Sequence, residues 1–328
     1  MFKSVFLVLS CSCLITALNV SSISDCPGLL PRIHPAQDVT DLRMDDIKIM
    51  ASLGDSIMAG YGMENIPKTP LGFMNKNILT EFRGQNYMMG ADEGAVSIAN
   101  FIKHYSPFLV GPSSQSHPLG YVRGSFPLHY NYQQEWKIIH VHIGSNDLCR
   151  ASEEEFMNAT LPENYAKDIE AAIQRIQSQV PNVLVNLIGM LKVTDIQPLV
   201  TDHSDYCQYS ILKQPCHGLK TKEAMERMDI LREEYDAKLA ILAQKYAAKP
   251  GGTFGVMFTP IPFDLTSFPI EAFSNIDCFH PSTLGHQWIA KAMWNQVFLD
   301  RDRRPSLVQF DQEQQIYCPT ENDRIIIK

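Results

Sequence analysis

Residues 47–56 have the sequence IKIMASLGDS, and this stretch decides the fold class. Most of its first seven residues are apolar, and a short apolar run bounded by turn residues is typical of a buried β-strand. The run leads directly into Gly54, Asp55 and Ser56, residue types that favour a turn. The pattern therefore predicts a buried strand with Ser56 just beyond its carboxyl end.

Further short apolar segments follow along the chain, and segments with helical spacing of apolar residues alternate with them. The predicted strands are residues 47–53, 136–143, 183–188 and 254–258, and the predicted helices are residues 94–104, 164–180, 220–247 and 283–298. Such alternation is typical of a parallel sheet covered by helices on both faces. Ligand sites in such sheets form beyond the carboxyl ends of the strands. We therefore expect one α/β domain with a site at that edge.

Two other polar segments complete a candidate catalytic set. Asn146 follows the second predicted strand, and its amide can donate to an oxyanion. In the sequence DCFHPS at residues 277–282, Asp277 precedes His280 by three residues, so its carboxylate can orient the base that a serine nucleophile needs. His286 is a second candidate base, but it lies within a predicted helix without a preceding aspartate, and we interpret it as structural. Taken singly, each motif is also typical of a strand-end turn or a helix cap.

Together the motifs are far more specific than each one alone. ASLGDSIMAG at residues 51–60, IGSNDLC at 143–149 and DCFHPS at 277–282 follow the order and positions found in GDSL/SGNH hydrolases. The sequence resembles the phospholipase B-like branch of that family most closely, and EFRG at residues 81–84 adds to the likeness. The resemblance covers roughly residues 45–300.

The resemblance implies a three-layer α/β/α sandwich with a mostly parallel, flavodoxin-like sheet, and acyl ester hydrolysis without a metal or other cofactor. It implies that Ser56 is the nucleophile, that His280 is the base and that Asp277 orients His280. Asn146 and the backbone N–H of Ser56 would belong to the oxyanion hole. The family also places a glycine there.

The best match to that glycine is Gly124, with Gly120 and Gly90 as alternatives.

The overall charge argues against nucleic acid as a partner. The chain has 328 residues, with 28 basic and 36 acidic residues and a net charge of −8, and no run of Lys or Arg stands out. Phosphate contacts need basic patches, which this distribution does not offer. We expect neither a nucleic-acid partner nor an obligate protein partner.

The amino terminus indicates export. A short basic start precedes an apolar run from Val5 to Leu18, which is typical of a signal peptide and too short for a comfortable membrane span. We predict a signal peptide over approximately residues 1–22, an N-terminal arm over 23–44, a hydrolase domain over 45–300 and a C-terminal extension over 301–328 that packs on it. We expect no membrane anchor once the signal is removed, and a secreted or lysosomal protein.

The cysteines agree with export, because six of them follow the predicted signal peptide and an even number favours disulfides. The sequence leaves all pairings open, but Cys207 and Cys216 bracket a short polar segment and are our favoured local pair. A zinc site is the rival interpretation, although no CxxC or CxxH spacing occurs. Asn158 begins a glycosylation sequon that secretion would make usable.

The sequence thus predicts a secreted serine ester hydrolase. Its expected substrate is a phospholipid, a lysophospholipid or a neutral lipid, with transient contact to a membrane or micelle surface. The alternatives are a carbohydrate O-acetyl esterase on the same scaffold and a catalytically silent secreted binding protein.

Two groups of residues have two interpretations each. His140 and His142 point to one face of a strand and could be a metal pair, but without an evident third ligand we interpret them as packed and hydrogen-bonded. A group of Met and aromatic residues could line an acyl channel or belong to the core. Its members are Met58, Tyr61, Met63, Phe73 and Met74.

Overall fold

The computed structural model describes residues 18–120, 131–207 and 215–327. Its central sheet has four parallel strands, which lie in the order Ile47–Gly54 (β2), Trp136–His142 (β5), Val183–Ile188 (β6) and Phe254–Thr259 (β7). All four predicted strands are present, and the predicted α/β class with a mostly parallel sheet is confirmed.

Helices cover this sheet. Those in the described residues are Ile98–Tyr105 (α1), Ser145–Arg150 (α2), Pro162–Gln179 (α3), Ile196–Asp202 (α4), Ser204–Cys207 (α5), Lys222–Lys245 (α6) and Thr283–Gln296 (α7). The four predicted helices correspond to α1, α3, α6 and α7, each displaced by only a few residues. Side chains that accept backbone N–H groups fix two of the starts, namely Ser97 at α1 and Thr221 at α6.

The core lies on both faces of the sheet. Every residue of β6 is buried, which requires cover above and below the strand. The helices α3 and α6 pack against each other, and α6 packs against β6 and β7. α1 meets α7 through Phe101 and Trp294, whose ring centroids are 5.4 Å apart.

Small antiparallel pairs lie outside the central sheet. Thr80–Glu81 (β3) pairs with His117–Pro118 (β4), and Leu18–Val20 (β1) pairs with Ile316–Cys318 (β8). In the C-terminal extension, the backbone N–H of Ile325 also donates to the carbonyl of Leu42 at 2.9 Å. The extension therefore contacts the segment that we predict to be the N-terminal arm; the predicted boundaries themselves stay predictions.

Three disulfides join distant parts of the chain. They link Cys26 to Cys318, Cys149 to Cys216, and Cys207 to Cys278. The favoured pairing of Cys207 with Cys216 is therefore wrong. Cys216 precedes a turn that packs on α2, which carries Cys149, whereas Cys207 ends α5 beside the loop of Cys278. Closeness in sequence did not predict these tertiary neighbours.

Candidate active site

Ser56 lies in a tight turn directly after β2. The N–H of Ala59 donates to the carbonyl of Asp55 at 3.0 Å, and the N–H of Tyr61 donates to that of Ser56 at 2.9 Å. The Asp55 carboxylate accepts the N–H of Ile57 at 3.0 Å, which holds the start of the turn. Ser56 stays partly exposed, as a reactive hydroxyl must be.

The loop with Asp277 and His280 reaches Ser56 from the far side of the sheet. It follows β7, the last strand in the sheet order, whereas Ser56 follows β2, the first. The loop closes on itself, because the N–H of Ser274 donates to the carbonyl of His280 and the N–H of Cys278 donates to that of Ser274, both at 2.8 Å. Cys278 has a φ of 52° at the centre of this closed turn.

The three residues form one hydrogen-bonded chain. Ser56 Oγ is 2.7 Å from His280 Nε2, and His280 Nδ1 is 2.5 Å from Asp277 Oδ2. The other carboxylate oxygen of Asp277 accepts the N–H groups of Phe279 and His280, each at 3.0 Å. The Asp277 side chain is fully buried and that of His280 is 9% exposed, so water does not compete with these bonds.

Two aromatic rings pack against the imidazole of His280. The rings of Tyr61 and Phe279 lie 5.0 and 5.3 Å from it, both nearly perpendicular to it. Burial raises the pKa of the Tyr61 phenol, and the charge of Asp277 adds to that shift, so this ring stays neutral beside the site. The structure thus brings Ser56, His280 and Asp277 together as the sequence motifs predict.

Asn146 lies at the same edge of the sheet. β5 pairs with β2 so that His142 is opposite Gly54, and Asn146 follows four residues later, in the first turn of α2. Gly144 has a φ of 134°, and a β carbon there would come within 3.2 Å of the Tyr165 ring. Asn146 itself is exposed to solvent at this edge.

The glycine predicted for the oxyanion hole, Gly124, lies outside the described residues. Of the two alternatives, Gly90 donates its N–H to the carbonyl of Asn86 at 3.2 Å. Gly120 donates its N–H to a carboxylate oxygen of Glu81 at 3.1 Å. Both alternatives therefore use their N–H groups within the protein, and Gly124 stays a prediction.

A buried polar cluster beneath the turn was missed by the sequence motifs. The Tyr87 hydroxyl is 2.5 Å from His142 Nδ1, and the Tyr87 N–H donates to His286 Nδ1 at 3.2 Å. Burial lowers the pKa of His142, although the charge of Asp55 acts against this shift. Burial also lowers the pKa of His286, to about 3. Both histidines are therefore neutral at physiological pH. Position 286 thus has the structural contacts that we expected, whereas no pattern in the sequence indicated Tyr87.

The other strand histidine belongs to a polar ladder across the sheet. His140 Nδ1 is 3.2 Å from the Asn186 amide nitrogen, and Thr259 donates its hydroxyl to the Asn186 amide oxygen at 2.8 Å. Burial lowers the pKa of His140 to about 3. Within residues 18–120, 131–207 and 215–327, no group of three or more His, Cys, Asp and Glu residues could hold a metal ion.

The Met and aromatic group near Ser56 divides between core and surface. Met58, Tyr61 and Met63 are buried, whereas Met74 is 72% exposed. The first three therefore belong to the core beside the Ser56 turn, and Met74 lies on an outer loop.

Two further predictions concern the surface. Asn158, the sequon residue, is exposed just before α3. Among the described helices, none has the length and apolarity needed to cross a membrane.

A serine, a histidine and an aspartate in this chain of contacts, at the carboxyl edge of a parallel α/β sheet, define the class of serine hydrolases. The sequence profile of the GDSL-like Lipase/Acylhydrolase family matches residues 50–293. The chain belongs to this family of carboxylic ester hydrolases, which confirms the resemblance found in its motifs.

Curated relatives agree with the family. The chain is 26% identical to human "Phospholipase B1, membrane-associated" over an alignment of 337 positions. This alignment covers 90% of the chain and 22% of that protein. The protein of the same name from Rattus norvegicus is 25% identical, with 90% and 23% covered, and that from Mus musculus is 26% identical, with 94% and 23% covered. The chain thus spans less than a quarter of the length of these relatives.

Proposed function

We propose that the chain hydrolyses acyl esters of lipids, with Ser56 as nucleophile, His280 as general base and Asp277 as the residue that orients His280. One observation carries this proposal, namely the unbroken contact from Ser56 Oγ through His280 to Asp277. A hydroxyl is a weak nucleophile unless a neighbouring base takes its proton, and here the base is within hydrogen-bond distance.

The reaction then has two halves. In the first, Ser56 Oγ attacks the ester carbonyl while its proton passes to His280 Nε2, and the tetrahedral intermediate collapses as His280 gives that proton to the departing alcohol. This leaves an acyl group on Ser56. In the second half, His280 takes a proton from water, the hydroxide attacks the acyl carbonyl, and the proton returns to Ser56 as the acid leaves.

We assign the stabilisation of the oxyanion to Asn146, the backbone N–H of Ser56 and Gly124. The support for Asn146 is its place four residues beyond the end of β5, next to the strand that ends before Ser56. Donors aimed at the developing oxyanion are effective because they need no reorganisation during the reaction. The chemistry proposed here requires no cofactor.

The substrate that we favour is a phospholipid or lysophospholipid, with neutral lipids as the wider class. The support comes from the relatives, whose names describe membrane-associated phospholipases.

We also propose that the protein is exported through its apolar amino terminus, to the outside or to lysosomes, and that Asn158 is glycosylated. Three disulfides among the described residues support an oxidising compartment, because such bonds are rare in the cytosol. The exposure of Asn158 supports its modification.

Hydrolysis of lysophosphatidylcholine and of an acetylated sugar by the wild type and by Ser56→Ala tests this function. We expect fatty acid release that the substitution abolishes. Acetate release alone would retain the Ser56 chemistry and replace the lipid by a carbohydrate O-acetyl ester. If neither substrate is turned over and a fluorophosphonate does not label Ser56, the chain is a binding protein and the proposal is wrong.

A further inference from the structure

A long loop leaves the Ser56 turn and returns to it. Tyr61 pairs with Glu81 in an antiparallel bridge, and the N–H of Phe82 donates to the carbonyl of Gly60 at 3.1 Å. The ends of this segment, which we term the 61–81 loop, are therefore held together a few residues after Ser56. The outer part of the loop is therefore anchored at both ends beside the Ser56 turn.

The base of the 61–81 loop is also tied to the loop that carries Asp277 and His280. The N–H of Ile66 donates to the Asn275 side chain at 2.8 Å, and that side chain donates back to the Ile66 carbonyl at 2.9 Å. The N–H of Asn275 donates to the Asn65 side chain at 2.9 Å. The loop thus has a rigid base joined to both parts of the candidate triad.

Its outer part exposes large apolar side chains. This part contains two short 3₁₀ helices, Gly72–Met74 and Lys76–Leu79. Leu71, Met74 and Leu79 are 65%, 72% and 65% exposed. Leu119, which donates its N–H to the Leu79 carbonyl at 2.9 Å, is 53% exposed. Clustered exposed apolar residues near a site mark a surface that contacts another apolar phase.

The charge of this outer part is opposite to that of the chain. Residues 66–80 contain Lys68 and Lys76 and no acidic residue, although the net charge of the chain is −8. Both lysines are exposed, and neither forms an ion pair with another residue that the structure describes. Lys68 Nζ lies 4.3 Å from the centre of the Tyr206 ring, and Lys68 precedes the exposed Leu71 by three residues. A partner that suits this surface offers apolar chains together with negative phosphate groups.

We propose that the outer part of the 61–81 loop, with Leu119, docks the enzyme on a phospholipid surface. Leu71, Met74 and Leu79 enter the interface, and Lys68 and Lys76 meet the phosphates. The docked loop holds the Ser56 edge at the lipid surface, where an ester reaches it without crossing water. This inference rests on the proposed lipid substrate, but its binding step is measured separately.

Flotation with phosphatidylcholine vesicles, with and without phosphatidylserine, tests the surface. The Ser56→Ala background keeps the vesicles intact. Leu71→Ser with Leu79→Ser is expected to weaken partitioning at least about tenfold, because two apolar side chains no longer leave water. Lys68→Gln with Lys76→Gln is expected to reduce the gain from phosphatidylserine by about fivefold per lysine.

The matched control is Ile230→Ser with Ile241→Ser, since these α6 residues are 61% and 58% exposed. We expect this control to partition like its parent, and circular dichroism to show folded protein in each case. Equal partitioning of the loop variant and the control would overturn the docking surface, as would a Ser56→Ala parent that does not bind vesicles.

The enzyme's activity separates this inference from the proposed function. When Ser56 is intact, the loop variant is expected to lose hydrolysis of vesicle lipid while it retains hydrolysis of a water-soluble short-chain ester. Loss of both activities in a folded loop variant would overturn the docking role. Vesicle binding through the loop without any ester hydrolysis would overturn the proposed function and support the docking surface.

Discussion

Gly62 lies directly against His280: a β carbon at position 62 would come within 3.2 Å of the His280 β carbon and 3.3 Å of that of Ser274. Gly62 also has a φ of 76°, a left-handed conformation that favours glycine. The absence of a side chain at this position therefore sets how closely the chain after Ser56 approaches the loop of His280.

Substitution of Gly62 by alanine tests this close approach. We expect Gly62→Ala to lower kcat by up to about tenfold, because the added β carbon shifts the His280 loop by a few tenths of an ångström, whereas a displacement of about 1 Å costs about a hundredfold. Gly251→Ala is the control, since Gly251 also has a φ of 76° but no atom within 4 Å of its added β carbon. Ester hydrolysis by both purified variants gives the answer, and equal kcat values would contradict the prediction.

Substitution of Asp277 by asparagine separates orientation from folding. An amide nitrogen facing His280 Nδ1 would reverse the preferred tautomer, so we expect kcat to fall about ten-thousandfold. The N–H groups of Phe279 and His280 can still donate to the amide oxygen, so the loop should keep its shape. Kinetics and circular dichroism measure the two effects, with exposed Asp302→Asn as control. Activity near that of the wild type would remove Asp277 from the triad.

Removal of the Asn146 amide tests the oxyanion hole. We expect Asn146→Ala to lower kcat by about a hundredfold to a thousandfold with little change in KM, because the amide acts on the transition state. Asn322→Ala, at an exposed site in the C-terminal segment, provides the comparison. A change in KM alone would assign Asn146 to substrate binding instead.

Two of the disulfides are expected to act in different ways. Cys278 lies between Asp277 and His280, so Cys207→Ser with Cys278→Ser should loosen the catalytic loop and lower kcat about tenfold or more. Cys26→Ser with Cys318→Ser should leave kcat unchanged but lower the free energy of unfolding by about 2–5 kcal/mol. Kinetics and urea unfolding distinguish the two pairs, and the prediction fails if both variants lose only stability.

His140 makes the stability of the protein dependent on pH. Burial lowers its pKa from 6.5 to about 3, so between those values the unfolded chain binds a proton that the folded protein does not. Stability is therefore lost as the pH falls below 6.5, by roughly 2 kcal/mol at pH 5. Burial raises the pKa of Asp236 to about 6, which has the opposite effect on stability as the pH falls. A comparison of the wild type with a variant at position 140 therefore isolates the contribution of His140.

Urea unfolding at pH 7 and pH 5 makes that comparison between the wild type and His140→Gln. The glutamine can still accept the Asn186 amide, and it does not titrate. Between pH 7 and pH 5, we expect the free energy of unfolding of the variant to fall by roughly 2 kcal/mol less than that of the wild type. The same fall in both proteins would show that His140 is protonated in the folded state.

The sequence predicted which residues meet at the carboxyl edge of the sheet through three motifs that together resemble a family, and simple geometry explains why those residues meet. Adjacent parallel strands in register end at one edge, so Ser56 and Asn146 had to lie there once their strands were recognised. A three-residue spacing placed Asp277 against His280. Tyr87, by contrast, approaches His142 through tertiary packing alone, and no periodicity indicates such a contact. The disulfide partners were unpredictable for the same reason.

The pairing of Cys26 with Cys318 makes the polypeptide between them a covalent ring, which spans a sequence separation of 292 residues. A protease that cuts the backbone once within this ring opens it but releases no fragment. The nicked chain stays in one piece until the bond is reduced. A single cut at an exposed loop therefore leaves Ser56, Asp277 and His280 joined in one molecule.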